Sequence, residues 1–579
     1  MNRAEQIERL RTKLATNPRI PVLIIGGGIN GAGVLRELAL QGIDALLVDK
    51  GDFASGCSAA STRIIHGGLR YLENGEFRLV RESLLERNRL LRNAPHIVKP
   101  LATTIPITNW TKGIAHAARK FFGLTSKPSD RGALIIKAGL TLYDIFAAPM
   151  RSMPTHRMAS RKRALAQRPP LNPNIVATAT YYDAWMNNPE RLCLEVVMDA
   201  ESLHSGCMAL NYVRADAAQG DTIQLRDELT GETFAVQPQI VVNATGAWID
   251  QTNGALGRDS GYIGGTKGSH LVVDNADLLK ACAGNMLYFA NADGRICIFY
   301  PVYDKVIVGA TDIPADDPDS VICDADDTAY LMESVKQVFP SIQITRDQIV
   351  FTYCGIRPLP RSTAATTGQI SRDHAFPLLK GGDSTVFPIY SLIGGKWTTF
   401  RAFAQQVTDA LLHDLNVTRR ASSENLAIGG GKDFPQADAE RDGWIARVAG
   451  QTALKRERIA ILLERYGTRA ETVAAYLAAG DDAPLSHHAD YSAREITFLI
   501  VNERVQRLED VILRRTTMGV LGETTAPLLN EIAGIIAPVL GWTDAECNAQ
   551  VERTIGILAT KHGVNLGVRS AFKPSAARR

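Results

Sequence analysis

The chain has 579 residues, 45% of them hydrophobic and 22% charged, which is too long for one hydrophobic core and excludes a disordered or fibrous protein. Its formal net charge is +3, and no basic run is interleaved with aromatics, so nucleic acid is not an expected partner. The eight cysteines (57, 193, 207, 282, 297, 323, 354 and 547) form no CxxC pair, so no metal site is expected and the spacing suits a reducing compartment.

The first predicted element is a helix, with Ile7, Leu10 and Leu14 at helical spacing among charges. This stretch lacks the apolar core of a signal peptide, so export is not expected. Next comes "PVLIIGGGINGAG": a β-branched apolar run that predicts a strand buried on both faces, then Gly26, Gly28 and Gly31 as G-x-G-x-x-G. Val34, Leu35, Leu38 and Ala39 continue a helix, Gly42 ends it, and "DALLVD" supplies a second buried strand ending near Asp49.

In such a βαβ unit Gly26 permits the tight turn, Gly28 lets the backbone meet a pyrophosphate, and Gly31 lets helix and strand pack closely. The helix N-terminus offers unpaired N–H groups and a positive dipole end, and Asp49 is placed to accept from ribose hydroxyls. The pattern predicts a dinucleotide site and leaves NAD and FAD both open.

Between Trp110 and Arg163 eleven basic residues face only Asp130 and Asp144, with apolar residues among them, a composition that suits an interfacial segment on anionic lipid. The longest apolar region, Ala133 to Ala148, is interrupted by Lys137 and Asp144 and is too short to span a membrane. "QIVVNATGAWID" (239–250) is a further buried strand ending at Thr245 and Gly246, and "YSLIGGKWTTFRAF" (390–403) is a strand, a turn at Gly394 and Gly395, and a helix start. "HLVVD", "RICIFYPV" and "KVIVGATD" predict an antiparallel sheet, "IGGGKDFP" (428–435) a linker, and the tail beyond it is helical by its periodicity. Packing and dimerisation are the roles open to that tail.

The N-terminal glycine motif, the Ser58–Ser61 stretch, "IIHGGLRYL" (64–72), "ATG", "KGSH", "GATD", "CGIRPL", "SRDH" and "GGKWTTFR" stand in the order seen in FAD-dependent, quinone-reducing glycerol-3-phosphate dehydrogenases, which the chain resembles over about residues 20 to 405. The resemblance continues into the tail at Glu495, Asp510 and "RRT" (514–516).

It implies an α/β chain with a Rossmann-like FAD-binding domain (about 18–100, 160–250 and 350–405) and an antiparallel-sheet substrate domain (mainly 250–350 and part of 100–160). A linker (406–435) and a C-terminal helical domain (436–579) follow. FAD is the implied cofactor, held by Gly26, Gly28, Gly31, Asp49, Ser58, Ser61, His66, Thr245, Gly246, Gly394 and Gly395.

Arg70, Tyr71, Arg372 and Lys396 are the implied substrate ligands, since a phosphate dianion wants multi-donor cations and a glycine-opened backbone. His270 is the implied proton acceptor and Arg357 polarises the C2 oxygen, with His374 bracing Arg372. The implied reaction is oxidation of sn-glycerol 3-phosphate to dihydroxyacetone phosphate by hydride transfer to flavin N5, with electrons passed to quinone. The expected location is the cytoplasmic face of the cell membrane, peripherally attached.

Asp49, Arg63, Trp397 and Phe400 depart from the family pattern and keep erythritol phosphate open as a longer substrate. Two other classes stay open: a flavin amine or amino-acid oxidase, with no need for four phosphate-seeking cations, and a non-catalytic flavoprotein that binds FAD and is bleached by no substrate.

Overall fold

A computed structural model describes residues 3–72, 75–111, 132–148, 152–291, 293–362, 370, 372–382 and 385–566. The apolar run at the start becomes the strand Arg19–Ile25, whose last four residues are buried because helices cover the sheet it occupies. Ala45–Val48 pairs with it in parallel on one side and Thr233–Asn243 on the other. Met208–Leu210 and Ile389–Ser391 extend the parallel sheet outward, and Leu378–Leu379 closes one edge antiparallel.

The crossover helix Ile29–Gln41 starts at Gly28 and stops at Gly42, whose left-handed φ of 74° lets its N–H cap Ala39 and Leu38. It packs against the helices Pro189–Leu203 and Phe400–Asp414. On the opposite side the N-terminal helix Arg3–Thr16 buries Ile7 and Leu10 in a cluster with Ile20 and Leu23.

A second, antiparallel sheet contains the predicted strands Thr266–Val273, Ile296–Val302 and Lys305–Gly309. It also takes in Val98–Ile107, which joins Met286–Ala290 by the sheet's parallel pairing. Ala177–Met186 and Ile349–Arg357 were expected with the nucleotide half and lie here instead. Ile349–Arg357 pairs along the whole of Thr266–Val273, from Thr266 opposite Arg357 to Val273 opposite Ile349, a partner choice that its own local pattern does not specify.

The expected linker is also more ordered. Residues 406–414 finish the helix Phe400–Asp414 and bury Val407 and Leu411, because its apolar face carries on past the expected boundary. Gly429–Gly431 is a turn whose amides donate to Asp199 and Glu195.

The tail consists mainly of the helices Asp438–Thr452, Arg456–Tyr466, Ala470–Ala478, Ala493–Asn502, Ala526–Leu540 and Asp544–His562. Its core residues Leu462, Leu499 and Ile532 form one cluster with Val272, Ile307 and Phe351 of the antiparallel sheet. Among the described residues no helix is long and apolar enough to cross a membrane.

Candidate active site

A cavity of about 730 Å³ is bordered by both sheets, and at one end lies the glycine turn. Gly26 has φ +110°, and a Cβ there would stand 2.5 Å from the Ala244 carbonyl oxygen. A Cβ on Gly31 would come within 1.9 Å of the Gly26 oxygen, so only glycine lets the helix approach the strand this closely. Gly31 therefore lies beneath the cavity, while Gly26 and Gly28 line it.

The side chain of Asp49 receives the Gly27 amide at 2.7 Å and the Gly51 amide at 2.8 Å. Burial pushes its carboxyl up to about 6, against the two amides, so it remains charged at neutral pH. The hydroxyl of Ser58 accepts from the Ile29 N–H at 3.0 Å, pinning the 51–61 segment to the first turn of the helix. Ser61, Thr245, Gly246, Gly394 and Gly395 complete this part of the wall. Two contacts join distant parts of the chain across it: the Asn30 amide donates to the Gly394 carbonyl at 3.3 Å, and the Trp397 indole N–H to the Ser58 carbonyl at 3.0 Å.

His66, Tyr71, His270, Arg357, Arg372 and Lys396 border the same cavity. The side chain of Arg70 lies outside the described residues. His270 sits on Thr266–Val273, stacked on Tyr353 with centroids 4.6 Å apart, and neither ring nitrogen has a protein partner. Burial pushes its imidazole down to about 3, with Arg357 and Arg63 acting in the same direction. His66 is driven to about 3 by burial and by Lys396 and Arg372. Both shifts keep the rings neutral and make each a weak base.

Arg357 lies flat over Gly268, where a Cβ would meet its Nη2 at 2.3 Å, and donates to the Thr311 carbonyl at 3.1 Å. Lys396 donates to the Ser83 hydroxyl at 2.8 Å and stands 4.2 Å over the Tyr71 ring. Burial pushes its ammonium down to about 7, against the pull of Glu82.

Asp183 anchors the "IIHGGLRYL" loop, accepting from the Gly67 amide at 3.0 Å, the Arg87 guanidinium at 2.9 Å and the Tyr143 hydroxyl at 2.7 Å. Sequence reasoning assigned nothing to Asp183 or Ser83, and no motif marks either. It did quote "GATD", whose Asp312 bonds both Arg357 and Arg372. His374 bonds Gln406 at 3.0 Å and packs on Phe403, where a brace for Arg372 was expected. Of the departing residues, Arg63 pairs with Glu190 and does not line the cavity, Phe400 packs over Gly33, and Trp397 does border the cavity.

Residues 21–409 match the family described as FAD dependent oxidoreductase. The chain belongs to that family. Residues 421–547 match the family described as the C-terminal domain of alpha-glycerophosphate oxidase. The chain is 34% identical to a glycerol-3-phosphate dehydrogenase from Synechocystis over 93% of its own length and 96% of the relative. Identity to the aerobic glycerol-3-phosphate dehydrogenase of Escherichia coli is 30% over 86% of this chain and 94% of that one. It is also 30% to the D-erythritol 1-phosphate dehydrogenase of Brucella abortus, over 86% and 93%. The solved glycerol-3-phosphate dehydrogenase of Bacillus halodurans, complexed with FAD, shares the fold at a TM-score of 0.74 and 22% identity, covering 98% of this chain and 99% of that one.

FAD is the cofactor of this oxidoreductase, and the glycine cradle, the helix N-terminus and the half-buried Asp49 carboxylate have the donor and acceptor chemistry a dinucleotide needs.

Proposed function

We propose that the oxidoreductase converts sn-glycerol 3-phosphate to dihydroxyacetone phosphate and hands the electrons to a quinone. The carrying observation is that Arg357, Arg372 and Lys396 line the same cavity as two imidazoles that burial keeps neutral, His66 and His270. Such a wall suits an anionic substrate with a hydroxyl to be deprotonated, and an amine or amino-acid substrate has no use for so many cations. FAD, held by the glycine turn, Asp49, Ser58, Ser61, His66, Thr245, Gly246, Gly394 and Gly395, supplies the two-electron acceptor for the C2 hydride.

In this reading Arg372, Lys396, Arg70 and Tyr71 bind the phosphate and so fix the three-carbon chain in one orientation. Arg357 polarises the C2 oxygen. His270 takes the hydroxyl proton; burial, Arg357 and Arg63 disfavour its protonated ring, and a substrate dianion nearby would act in the opposite direction. Erythritol phosphate is the second reading, supported by the Brucella relative and differing by one hydroxymethyl group.

Lys396 gives this reading a pH signature. Its ammonium is protonated below about 7 and loses its charge above that value. The KM for the phosphorylated substrate is therefore expected to rise on the alkaline side of pH 7, and K396R, which stays charged, to flatten that limb. An identical alkaline limb in both proteins contradicts a role for Lys396 in phosphate binding.

Membrane attachment at the cytoplasmic face is part of the same proposal. The helix Ala133–Ala147 buries Leu140 and Tyr143 but leaves Leu134 53% and Ile145 62% exposed, next to Trp110 at 54%. Such an apolar face with Lys137 beside it suits a lipid interface. Of the basic segment expected to assist, Trp110 to Arg163, residues 112–131 and 149–151 lie outside the described residues. Co-sedimentation with anionic vesicles, weakened by L134E/I145E, and turnover with a soluble quinone analogue test the attachment and the acceptor separately.

A further inference from the structure

Arg357 and Arg372 both border the cavity, and the attraction between them comes from a third residue. Two guanidiniums side by side repel, and in this protein each lies only partly in contact with solvent, with side chains 21% and 25% exposed. Asp312 stands between them at 16% exposure. Its Oδ1 accepts from Arg357 Nη1 at 3.0 Å and its Oδ2 from Arg372 Nη2 at 3.3 Å, one carboxylate oxygen for each cation. Asp312 itself does not line the cavity.

The carboxylate is mounted firmly. The preceding residue, Thr311, accepts the Ser269 amide on its hydroxyl at 2.9 Å, and its carbonyl holds Arg357 Nη2 at 3.1 Å. Arg357 ends the strand Ile349–Arg357 and is fixed from below by Gly268. Arg372 stands outside any helix or strand, so its place in the wall depends on what it bonds.

We propose that Asp312 is a positioning residue that seats Arg372 beside the independently fixed Arg357, so that Arg372 is presented to the substrate phosphate while Arg357 serves the C2 oxygen. The proposal rests on the phosphate-substrate reading given above. Asp312 touches neither the hydride path nor the proton acceptor, and its effect is exerted through Arg372.

The test compares the holoenzyme with D312N and D312E, each checked first for flavin content. The probe is inorganic phosphate, read as its inhibition constant against the substrate, together with the split between KM and kcat. In D312N both the phosphate inhibition constant and KM are expected to rise roughly tenfold with kcat within about threefold, and D312E, which keeps the charge on a longer arm, to show a smaller rise. In an R372M background the D312N effect is expected to shrink to less than about twofold, a coupling that general loosening of the fold does not produce.

Unchanged phosphate inhibition in D312N overturns the proposal. So does tighter inhibition, which marks Asp312 as a competitor for the phosphate place. If D312N does not fold, the same readings on D312E decide. If phosphate fails to inhibit the unaltered enzyme, the phosphate reading itself falls, and the proposal with it.

Discussion

Gly31→Val yields a protein that does not retain flavin. The Gly31 Cα faces the Gly26 carbonyl so closely that even a Cβ would lie 1.9 Å from that oxygen, and valine adds two methyl groups to it. Gly26 has no room to retreat, since its own added Cβ would lie 2.5 Å from the Ala244 oxygen on the neighbouring strand. The helix Ile29–Gln41 must move away, and its N-terminal amides leave the place where a pyrophosphate would be held. Overpacking of this kind destabilises by roughly 1 to 3 kcal/mol or more, and loss of the cofactor removes its binding contribution as well. The flavin-to-protein absorbance ratio measures the loss. G139A, at an intermediate-exposure helix position where a Cβ meets nothing within 4 Å, serves as the control and is expected to retain flavin fully.

The second large effect is expected far along the chain, at Arg515. Asp52 is fully buried at the head of the segment whose Ser55, Gly56, Cys57 and Ser58 line the cavity. Its carboxylate accepts from Arg515 at 2.7 and 2.9 Å, from Arg514 at 2.5 Å and from Asn211 at 2.9 Å. Burial alone would raise the Asp52 value, but the two guanidiniums hold it well below the usual carboxylate range.

R515M leaves this buried charge only partly compensated, and removing one partner of a buried pair costs roughly 3 to 5 kcal/mol. The thermal midpoint and flavin retention are expected to fall together, because the loosened segment lines the cavity proposed to hold the flavin. R447M, which breaks the exposed pair with Glu471, is expected to change stability by less than about 1 kcal/mol. The sign with pH follows from a lowered carboxylate: the contribution is complete above its unfolded value near ~4 and disappears as pH falls through its folded value. The acid side of the stability curve should therefore be flatter in R515M. A midpoint equal to that of the unaltered protein contradicts a role for the C-terminal helices in holding the cofactor segment.

These two positions mark where the sequence is readable and where it is not. The Gly26–Gly31 turn, its strands and its helix are legible because all of the physics is local: apolar period, glycine spacing and a helix stop lie within thirty residues. The three strands of the antiparallel sheet named from sequence were legible for the same reason. Strand partnership was not: the stretches 160–250 and 350–405 were read with the FAD-binding domain, whereas Ala177–Met186 and Ile349–Arg357 within them pair in the antiparallel sheet.

Asp312 was visible only as the last letter of "GATD", because the arginines that give it meaning lie 45 and 60 residues further on. The Asp52 cluster joins residues 463 apart and has no signature that a single sequence displays. His374 was drawn to Arg372 by proximity in the chain, whereas its ring turns to Gln406 on the following helix. The gathering of fifteen of the seventeen expected site residues along one cavity, with Gly31 beneath it and the Arg70 side chain undescribed, came from the family resemblance of the motifs, since spacing alone does not bring residues 66, 270, 357 and 396 together.

Anaerobic addition of substrate to the purified flavoprotein tests the central claim most directly, with loss of the flavin's visible absorption as the reading. Rapid bleaching by sn-glycerol 3-phosphate, slower bleaching by erythritol phosphate and none by unphosphorylated glycerol is the predicted result. A flavin that an amino acid bleaches and neither phosphate does would contradict the account.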